Sequence, residues 1–322
     1  MASPSSQVTF YDLLPPQQNA LDEVCAGLSL PQKQLSPKFF YDARGCELFA
    51  QICVAPEYYP TRAELSLMRR YAGEISGLAG VDCALIEIGC GNSEKTHELL
   101  SALQPTVFVA VDIAREQLQT SFDALTALFP RMKFVALQAD FAHAIALPGK
   151  QLGTSRRVLY FPGSTIGNFT VDEARAFLER WAPLLGAGGG ALIGVDLKKD
   201  PSVLNAAYND AQGVTAAFNL NILRHLNREL GADFDIAAFR HRAFYNARPG
   251  RVEMHLESLK AQRVAIGARS FDFRAGETIH TENSYKYSVD EFQALGSAAG
   301  FLPQRWWTDD DGLFSVHYFA VP

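Results

Sequence analysis

The chain has 322 residues, of which 48% are hydrophobic and 20% charged, values typical of a globular protein with a sizeable core. Its formal net charge is -6 and it has no run of Lys or Arg, which argues against a nucleic-acid partner. No apolar stretch approaches the roughly 20 residues that cross a bilayer. The N-terminus also lacks the basic and apolar regions of a secretory signal, so we expect no membrane partner.

The cysteines and histidines do not form any recognisable pattern. The five cysteines include no C-x-x-C pair, and an odd number suits a reducing compartment. We therefore expect a cytoplasmic protein whose cysteines are ordinary core residues. The seven histidines show no H-E-x-x-H or comparable spacing, so no metal site is predicted.

The N-terminal part of the chain combines a predicted helix around residues 21–28 with an aromatic stretch over residues 35–70. Most aromatic residues of this stretch have the spacing of a helical core stripe. Tyr58 and Tyr59 instead fall in a predicted turn over residues 58–62, where a phenol can present its hydroxyl to a ligand. Taken alone, a structural role is the simpler interpretation of either tyrosine.

A predicted helix over residues 62–80 leads into an apolar strand over residues 84–88, which stops at Gly89-Cys90-Gly91. The following helix begins with Ser93, a good N-cap residue. A strand that passes through a glycine turn into a helix brings bare backbone N–H groups to a ligand, as nucleotide sites do. The turn lacks the third glycine of G-x-G-x-x-G, so by itself it leaves the nucleotide open.

The next two predicted strands both end in acids. The strand over residues 106–113 ends at Asp112, about 20 residues past the glycine turn, where a carboxylate can accept both ribose hydroxyls of an adenosine. Capping of the next helix is the alternative role for Asp112. The strand over residues 133–140 ends in Asp140-Phe141, which could hold an adenine by a hydrogen bond and a ring contact.

The remaining elements complete one pattern and then change to another. Strands over residues 156–165 and 190–197 flank a helix over residues 172–185, and this alternation predicts a parallel, doubly wound α/β sheet with ligands at the carboxyl ends of its strands. We infer that an insertion then interrupts this domain, and we group the N-terminal segment with the insertion. The insertion is predicted to contain helices over 201–212 and 214–230 and a hairpin turning at 246–250. The end of the chain is predicted to contain a helix over 289–300 and two strands around 309–312.

Two nucleotides are compatible with this arrangement, a nicotinamide dinucleotide and S-adenosylmethionine. The missing third glycine and the lack of a hydride-relay constellation argue against a dehydrogenase. The acids after the second and third strands and the closing antiparallel hairpin favour a methyltransferase. Residues 62–198 and 286–322 together resemble the class I (Rossmann-like) methyltransferases.

Several strings extend the resemblance to one family. These strings are KFFYDARGCELFAQI, PEYYPTR, EIGCGNSEKT, GSTIGN, AYNDAQGVTAAFN and TENSYKY. They are similar to the histidine-specific N-alpha-methyltransferases of ergothioneine biosynthesis, from about Leu35 to Tyr318. The resemblance implies that S-adenosylmethionine methylates the α-amino group of L-histidine three times, giving hercynine. It also implies a methyltransferase domain at residues 62–198 and 286–322, and an inserted α+β substrate-binding domain at residues 1–61 and 199–285. We expect a monomer.

The resemblance assigns cofactor roles to five residues. Gly89 lines the cofactor, and Lys95 lies near its methionine carboxylate. Asp112 takes the ribose hydroxyls, whereas Asp140 and Phe141 take the adenine.

It also assigns roles toward the α-carbon of the substrate. Tyr58, Asn168 and Tyr208 match the positions that hold the α-carboxylate. Tyr41 and Gly163 border the amino group, which we count as the catalytic positions. Methyl transfer from a sulfonium needs orientation more than acid–base groups, so neutral donors suit this role.

The imidazole is assigned to three further residues. Glu282 and Ser284 match the pair that binds the ring nitrogens, and Met254 packs beside the ring. The chain departs from the family at Cys90, where Ser is usual, and at Pro162, where Leu is usual.

Two alternatives stay open at this point. A member of the same family can act on another amino acid, such as a tryptophan derivative, although the combination of Glu282, Ser284 and Met254 argues against it. A cofactor-binding module without activity would also carry Lys95 and Asp112. Only the complete substrate set distinguishes an enzyme from such a module.

Overall fold

The structure, a computed structural model, describes residues 8–14, 17–90 and 93–322. Of the helices within these ranges, none is long and apolar enough to cross a bilayer. In chain order the elements are β1 (Val8–Asp12), α1 (Gln17–Leu28), α2 (Ala43–Val54), α3 (Pro60–Ala79), β2 (Ala84–Ile88), α4 (Ser93–Leu103), β3 (Val107–Asp112), α5 (Arg115–Leu128), β4 (Lys133–Gln138), α6 (Gly149–Leu152), β5 (Arg157–Phe161), α7 (Val171–Leu185), β6 (Gly190–Asp196), α8 (Pro201–Ala207), α9 (Val214–Leu230), β7 (Phe239–Asn246), β8 (Arg251–Ser258), β9 (Gln262–Ile266), β10 (Arg269–Phe273), β11 (Thr278–Tyr285), α10 (Val289–Ala298), β12 (Leu302–Thr308) and β13 (Phe314–Ala320), with 3-10 helices at Pro37–Phe40, Thr165–Asn168 and Ile236–Ala238.

The described chain forms two compact units. Unit 1 contains residues 8–14, 60–198 except 91 and 92, and 285–322, whereas unit 2 contains residues 17–59 and 199–284. Each unit is therefore assembled from segments that are distant in the sequence. Which function each unit serves stays a prediction.

Unit 1 is built on one eight-stranded sheet in the order β1-β4-β3-β2-β5-β6-β13-β12. Neighbouring strands are parallel from β1 to β6, and β13 is antiparallel to both β6 and β12. The predicted doubly wound α/β sheet and its closing hairpin are confirmed. Because Ile88 of β2 lies opposite Val111 of β3, the glycine turn and Asp112 reach the same edge of the sheet.

Helices cover both faces of this sheet. Successive strand residues point to opposite faces, so Leu85 packs in one apolar cluster and Ile86 in the other. The Leu85 cluster includes α3, α4 and α5, and the Ile86 cluster includes α7 and α10. A sheet that is buried on both faces favours apolar residues at most strand positions, which explains the apolar runs of the sequence.

Unit 2 combines helices with two small sheets. Its three-stranded sheet has the order β11-β8-β7, and β9 pairs with β10. The antiparallel pairing of β7 with β8 confirms the predicted hairpin. Phe40 and Phe218 of α9 stack with ring centroids 4.5 Å apart, and Asn221 donates to the Asp42 carboxylate that caps α2. The 3-10 helix at Pro37–Phe40 and α2, both within the aromatic stretch, therefore pack against α9.

The structure corrects three predictions about where segments belong and where elements begin and end. Residues 8–14 belong to unit 1 rather than with the other residues of 1–61, because β1 pairs in parallel with β4 and so covers an edge that would otherwise leave backbone groups unpaired. The turn predicted over residues 58–62 ends early, since α3 begins at Pro60, a favoured residue in the first helical turn. The first helix after Asp200 ends at Ala207 rather than at residue 212.

Part of the predicted glycine turn lies outside the described residues. Gly91 and Asn92 are not among them, and neither is the side chain of Ser93, the predicted N-cap. Gly89 and Cys90 are described and directly follow β2.

His317 predicts how the stability of the protein depends on pH. It is fully buried on β13, and burial lowers its pKa to about 3. Unfolding exposes the ring and restores a pKa near 6.5, so the unfolded state binds more protons between these values. We expect the free energy of unfolding to fall from about pH 6.5 toward pH 3, with this residue contributing up to about 1.4 kcal/mol per pH unit.

Chemical denaturation of the native protein and of His317→Gln across this pH range measures the effect. The slope against pH should be smaller in the variant, whereas His143→Gln, a change at an exposed histidine, should keep the native slope. An identical slope in His317→Gln and the native protein would contradict the assignment.

Candidate functional site

The glycine turn and the end of β3 are joined by backbone hydrogen bonds. Gly89 N donates to Val111 O at 2.9 Å, and Gly89 has a φ of +73°, a conformation that favours glycine. A Cβ built on Gly89 meets no heavy atom within 4 Å, so the space beside this residue is open. Asp112 Oδ1 accepts from Ala114 N at 2.9 Å. Burial raises the pKa of Asp112 to about 6, although backbone N–H groups partly offset the effect.

Asp140 and Phe141 follow the neighbouring strand β4. Asp140 Oδ1 accepts from Ala142 N at 3.1 Å, and the Phe141 ring makes an edge contact with Phe161, the centroids being 5.8 Å apart. Ala139 N donates to Asp112 O at 2.9 Å. The structure therefore brings the predicted ribose and adenine residues to one edge of the sheet.

Lys95 of α4 is bound by an acid that the sequence analysis did not single out. Its Nζ lies 2.5 Å from Glu64 Oε2, and Gly163 N donates to the same oxygen at 2.9 Å. Glu64 is fully buried on α3. The sequence carried one signal for it, because Glu64 occupies a position of the apolar stripe that also contains Leu67 and Met68.

The segment after β5 has a strained and well-fixed backbone. Gly163 and Ser164 have consecutive left-handed φ values of +73° and +57°. Ser164 Oγ accepts from Asp196 N at 2.9 Å, which connects the segment to the end of β6. A Cβ on Gly167 would lie 2.8 Å from Tyr285 O. The half-buried Asn168 therefore ends a 3-10 helix whose backbone has little freedom to move.

Glu87 is a second buried acid that the sequence analysis did not identify. It lies on β2, two residues before Gly89, and Thr96 Oγ1 is 2.9 and 2.8 Å from its two oxygens. Burial raises the pKa of Glu87 to about 8. Glu87 therefore connects the strand before the glycine turn to the helix after it.

In unit 2, the structure brings three predicted substrate residues together. Tyr208 Oη donates to Ser284 Oγ at 2.7 Å, and both side chains are buried. The ring of Tyr58 makes an edge contact with that of Tyr208, with centroids 6.4 Å apart. Burial and, next, the neighbouring Tyr208 raise the pKa of Tyr58 well above its ordinary value, with Glu282 adding to the effect. Tyr58 is therefore a neutral hydroxyl group at physiological pH.

Tyr41 lies in the aromatic cluster beside this group. Its ring makes edge contacts with Phe49 and Phe218, with centroids 5.8 and 5.9 Å apart, and Phe49 in turn contacts Tyr58. Tyr59 differs from Tyr58, since its hydroxyl accepts from Lys199 Nζ at 2.6 Å. Tyr58 therefore belongs to the aromatic cluster, whereas Tyr59 is bonded to a lysine.

The two other predicted imidazole residues lie on β8 and β11. Met254 is buried on β8, and its carbonyl accepts from Thr281 Oγ1 at 3.1 Å. Glu282 is the next residue of β11 after Thr281, and its carbonyl contacts His280 Nε2 at 3.0 Å. Both residues are therefore on the three-stranded sheet that also carries Ser284.

Within the described part of the chain, one group of side chains has metal-ligating atoms close together. The atoms of Glu253, His255 and His280 lie within 4.8 Å of one another. The two imidazole rings are stacked, with centroids 4.6 Å apart and an angle of 14° between planes. A metal must lie near the plane of each imidazole that binds it, so two stacked rings do not converge on one ion. Glu253 is in addition paired with Arg251 at 2.8 Å.

The comparison with known families identifies the chain. Residues 20–321 match the family model described as histidine-specific methyltransferase, SAM-dependent. The chain belongs to this family. Its methyl donor is therefore S-adenosylmethionine, as the sequence analysis predicted.

Individual relatives agree with this assignment. The methyltransferase is 42% identical over 300 residues to the histidine N-alpha-methyltransferase of Mycolicibacterium smegmatis, covering 91% of this chain and 92% of that protein. It is 41% identical over 305 residues to the same enzyme of Mycobacterium tuberculosis, covering 92% and 94% respectively. It is also 28% identical over 325 residues to the 4-dimethylallyltryptophan N-methyltransferase of Penicillium roqueforti, covering 94% and 92%.

The residues at the carboxyl edge of unit 1 suit a sulfonium cofactor. Lys95 is paired with Glu64, and its ammonium has further N–H donors for a ligand carboxylate. Asp112 offers a carboxylate at the end of β3 for two ribose hydroxyls. The open space beside Gly89 leaves room for a ligand against the backbone. The described methyltransferase residues therefore fit S-adenosylmethionine.

Asp112 predicts that cofactor binding depends on pH. If its ionised carboxylate holds the ribose, protonation below its pKa of about 6 weakens binding. We expect the Kd of S-adenosylhomocysteine to rise by about tenfold from pH 7.5 to pH 5.

Isothermal calorimetry of Asp112→Asn and the native protein checks this expectation. The variant should bind weakly at both pH values, whereas Asp123→Asn, on the exposed side of α5, should behave like the native protein. The same pH dependence in Asp112→Asn would exclude Asp112 as its origin.

Proposed function

We propose that this methyltransferase transfers three methyl groups in turn from S-adenosylmethionine to the α-amino nitrogen of L-histidine, giving hercynine. The observation that carries the proposal is the 42% identity, over nine-tenths of both chains, to a histidine N-alpha-methyltransferase. The bound donor supplies a methyl group on a sulfonium. The task left to the protein is to hold the acceptor amine unprotonated and correctly oriented.

On the cofactor side we assign the ribose to Asp112 and the adenine to Asp140 and Phe141. The support is their common position at the carboxyl ends of β3 and β4, where doubly wound sheets bind ligands. Gly89 contributes its backbone, and Lys95 is assigned to the methionine carboxylate.

On the substrate side we assign the α-carboxylate to Tyr58 and Tyr208. Their hydroxyls are neutral donors, so they bind a carboxylate without placing a cation in a site that works on a sulfonium. The electron-rich ring of Tyr41 suits the quaternary ammonium of the product by cation–π contact. The roles of Asn168 and Gly163 rest on the family resemblance.

The choice of histidine is assigned to Glu282 and Ser284, with Met254 beside the ring. A carboxylate accepts from one imidazole nitrogen, and the Ser284 hydroxyl, which lies 2.7 Å from Tyr208 Oη in this structure, can donate to the other nitrogen. An indole has a single ring N–H, so one of these polar groups would lose its partner at a cost of about 1–3 kcal/mol. This argument favours histidine over a tryptophan derivative.

We place the enzyme in the cytoplasm and expect it to act as a monomer. The five cysteines all lie within the described residues and form no disulfide, which suits a reducing compartment. The small-molecule partner is L-histidine.

Purified protein incubated with S-adenosylmethionine and L-histidine should form trimethylated histidine. Mass spectrometry should detect masses for one, two and three added methyl groups, and the last should accumulate. A parallel series with the other nineteen amino acids and with 4-dimethylallyltryptophan is the control. Turnover of one of these compounds without any product from histidine would contradict the proposed substrate.

Glu282→Ala should weaken the binding of histidine far more than that of the cofactor. Because the lost hydrogen bond involves a charged group, the Kd of histidine should rise by about tenfold or more. Calorimetry of histidine and of S-adenosylhomocysteine separates the two effects.

The matched control is Glu257→Ala, which removes a carboxylate on β8 that pairs with Arg240 in the same unit. Equal losses of histidine and cofactor affinity in Glu282→Ala would argue against an imidazole role for Glu282.

A further inference from the structure

The carboxylate of Glu64 connects three separate segments of unit 1. Glu64 lies on the second turn of α3, and its Oε2 accepts a hydrogen bond from Lys95 Nζ of α4 at 2.5 Å. The same oxygen accepts from Gly163 N, in the segment after β5, at 2.9 Å. One oxygen of Glu64 thus binds both Lys95 and Gly163, which have predicted roles in the reaction.

The fold makes specific room for this carboxylate. A Cβ on Gly194 of β6 would lie 2.2 Å from Glu64 Oε1, so only glycine at that position permits the side chain to enter. Glu64 also interacts with the buried hydroxyl of Tyr160. Burial and then the charge of Glu64 raise the pKa of Tyr160 well above its ordinary value.

Such an arrangement is a poor device for stability alone. Burying an ion pair costs desolvation energy that the attraction between its charges often only just offsets. Apolar side chains in place of both Glu64 and Lys95 would avoid this cost and continue the stripe of α3. The acid is therefore better explained by what it holds.

Glu64 binds the flexible side chain of Lys95 and the strained backbone at Gly163. A lysine side chain has many rotamers, and a single buried acceptor restricts it to few of them. An ammonium has three N–H donors, so Lys95 can bind Glu64 and a ligand carboxylate at once. The bond to Gly163 N acts at the first of two consecutive left-handed residues, where the backbone needs external support.

We propose that Glu64 is a positioning residue of the methyltransferase: it holds the Lys95 ammonium in place for the methionine carboxylate of the donor and fixes the backbone at Gly163. The inference rests on the proposed function, in particular on the cofactor role of Lys95. Glu64 itself touches neither the donor nor the amino acid.

The test uses Glu64→Leu, which removes both hydrogen bonds and continues the apolar stripe. The variant should bind S-adenosylhomocysteine about tenfold more weakly, and it should unfold at a lower temperature because Lys95 and Gly163 N lose their buried acceptor. Its KM for S-adenosylmethionine should rise by a similar factor, with kcat less affected. Glu64→Gln, which keeps an acceptor, should show a smaller loss. Glu74→Gln is the control, since it changes a half-exposed glutamate of the same helix.

A double-variant cycle shows whether the effect passes through Lys95. Lys95→Met should weaken cofactor binding about as much as Glu64→Leu, and the combination should weaken it no further. Additive losses would overturn the proposal, and so would native affinity in Glu64→Leu. If Glu64→Leu does not fold, the cycle is run with Glu64→Gln, and native affinity in that variant also overturns it.

The cofactor measurements separate this inference from the proposed function. Failure of the native protein to bind S-adenosylhomocysteine would contradict the function. Binding by the native protein and by Glu64→Leu with equal affinity would contradict only the role of Glu64.

Discussion

Acidic side chains buried at the carboxyl edge of the parallel sheet constrain the structure of unit 1. Burying a carboxylate costs free energy unless hydrogen-bond donors or a cation compensate it, so each buried acid is bonded to a group from another segment. Glu64 binds Lys95 of α4 and the backbone of the segment after β5, and Glu87 binds Thr96 near the start of α4. Asp196 at the end of β6 is paired at 2.7 Å with the fully buried Lys286, two residues after Ser284. The backbone around the predicted cofactor residues is fixed by these pairings.

The sheet explains why such acids occur there at all. Parallel strands with both faces covered bury their apolar residues along the whole length, and only the strand ends can carry polar groups. Register then decides which ends are neighbours, and the bond from Gly89 N to Val111 O is one result. A ligand at this edge meets backbone N–H groups, carboxylates and the Lys95 ammonium that Glu64 binds.

Unit 2 handles its polar groups differently. Beside Tyr58, buried neutral hydroxyls contact each other in an aromatic setting, as Tyr208 does with Ser284. Neutral donors orient an amino acid without altering the charge near its amine, which must stay nucleophilic. Asp42 connects the helices of this aromatic region, because its carboxylate caps α2 and accepts from both Asn221 and Arg228 of α9.

The sequence by itself determined the doubly wound sheet and the strand-end positions of Asp112 and Asp140, because apolar runs, glycine turns and acids at strand ends are local patterns. The family followed from the resemblance of several short strings such as GSTIGN. The sequence analysis misplaced β1, since an edge strand is defined by its partner β4, more than 100 residues away in the chain. Glu64 escaped notice for the same reason. An acid on an apolar stripe has meaning only once tertiary structure places Lys95, Gly163 and the space above Gly194 around it. Compensation of a buried charge depends on distant segments, and only the tertiary structure decides which segments those are.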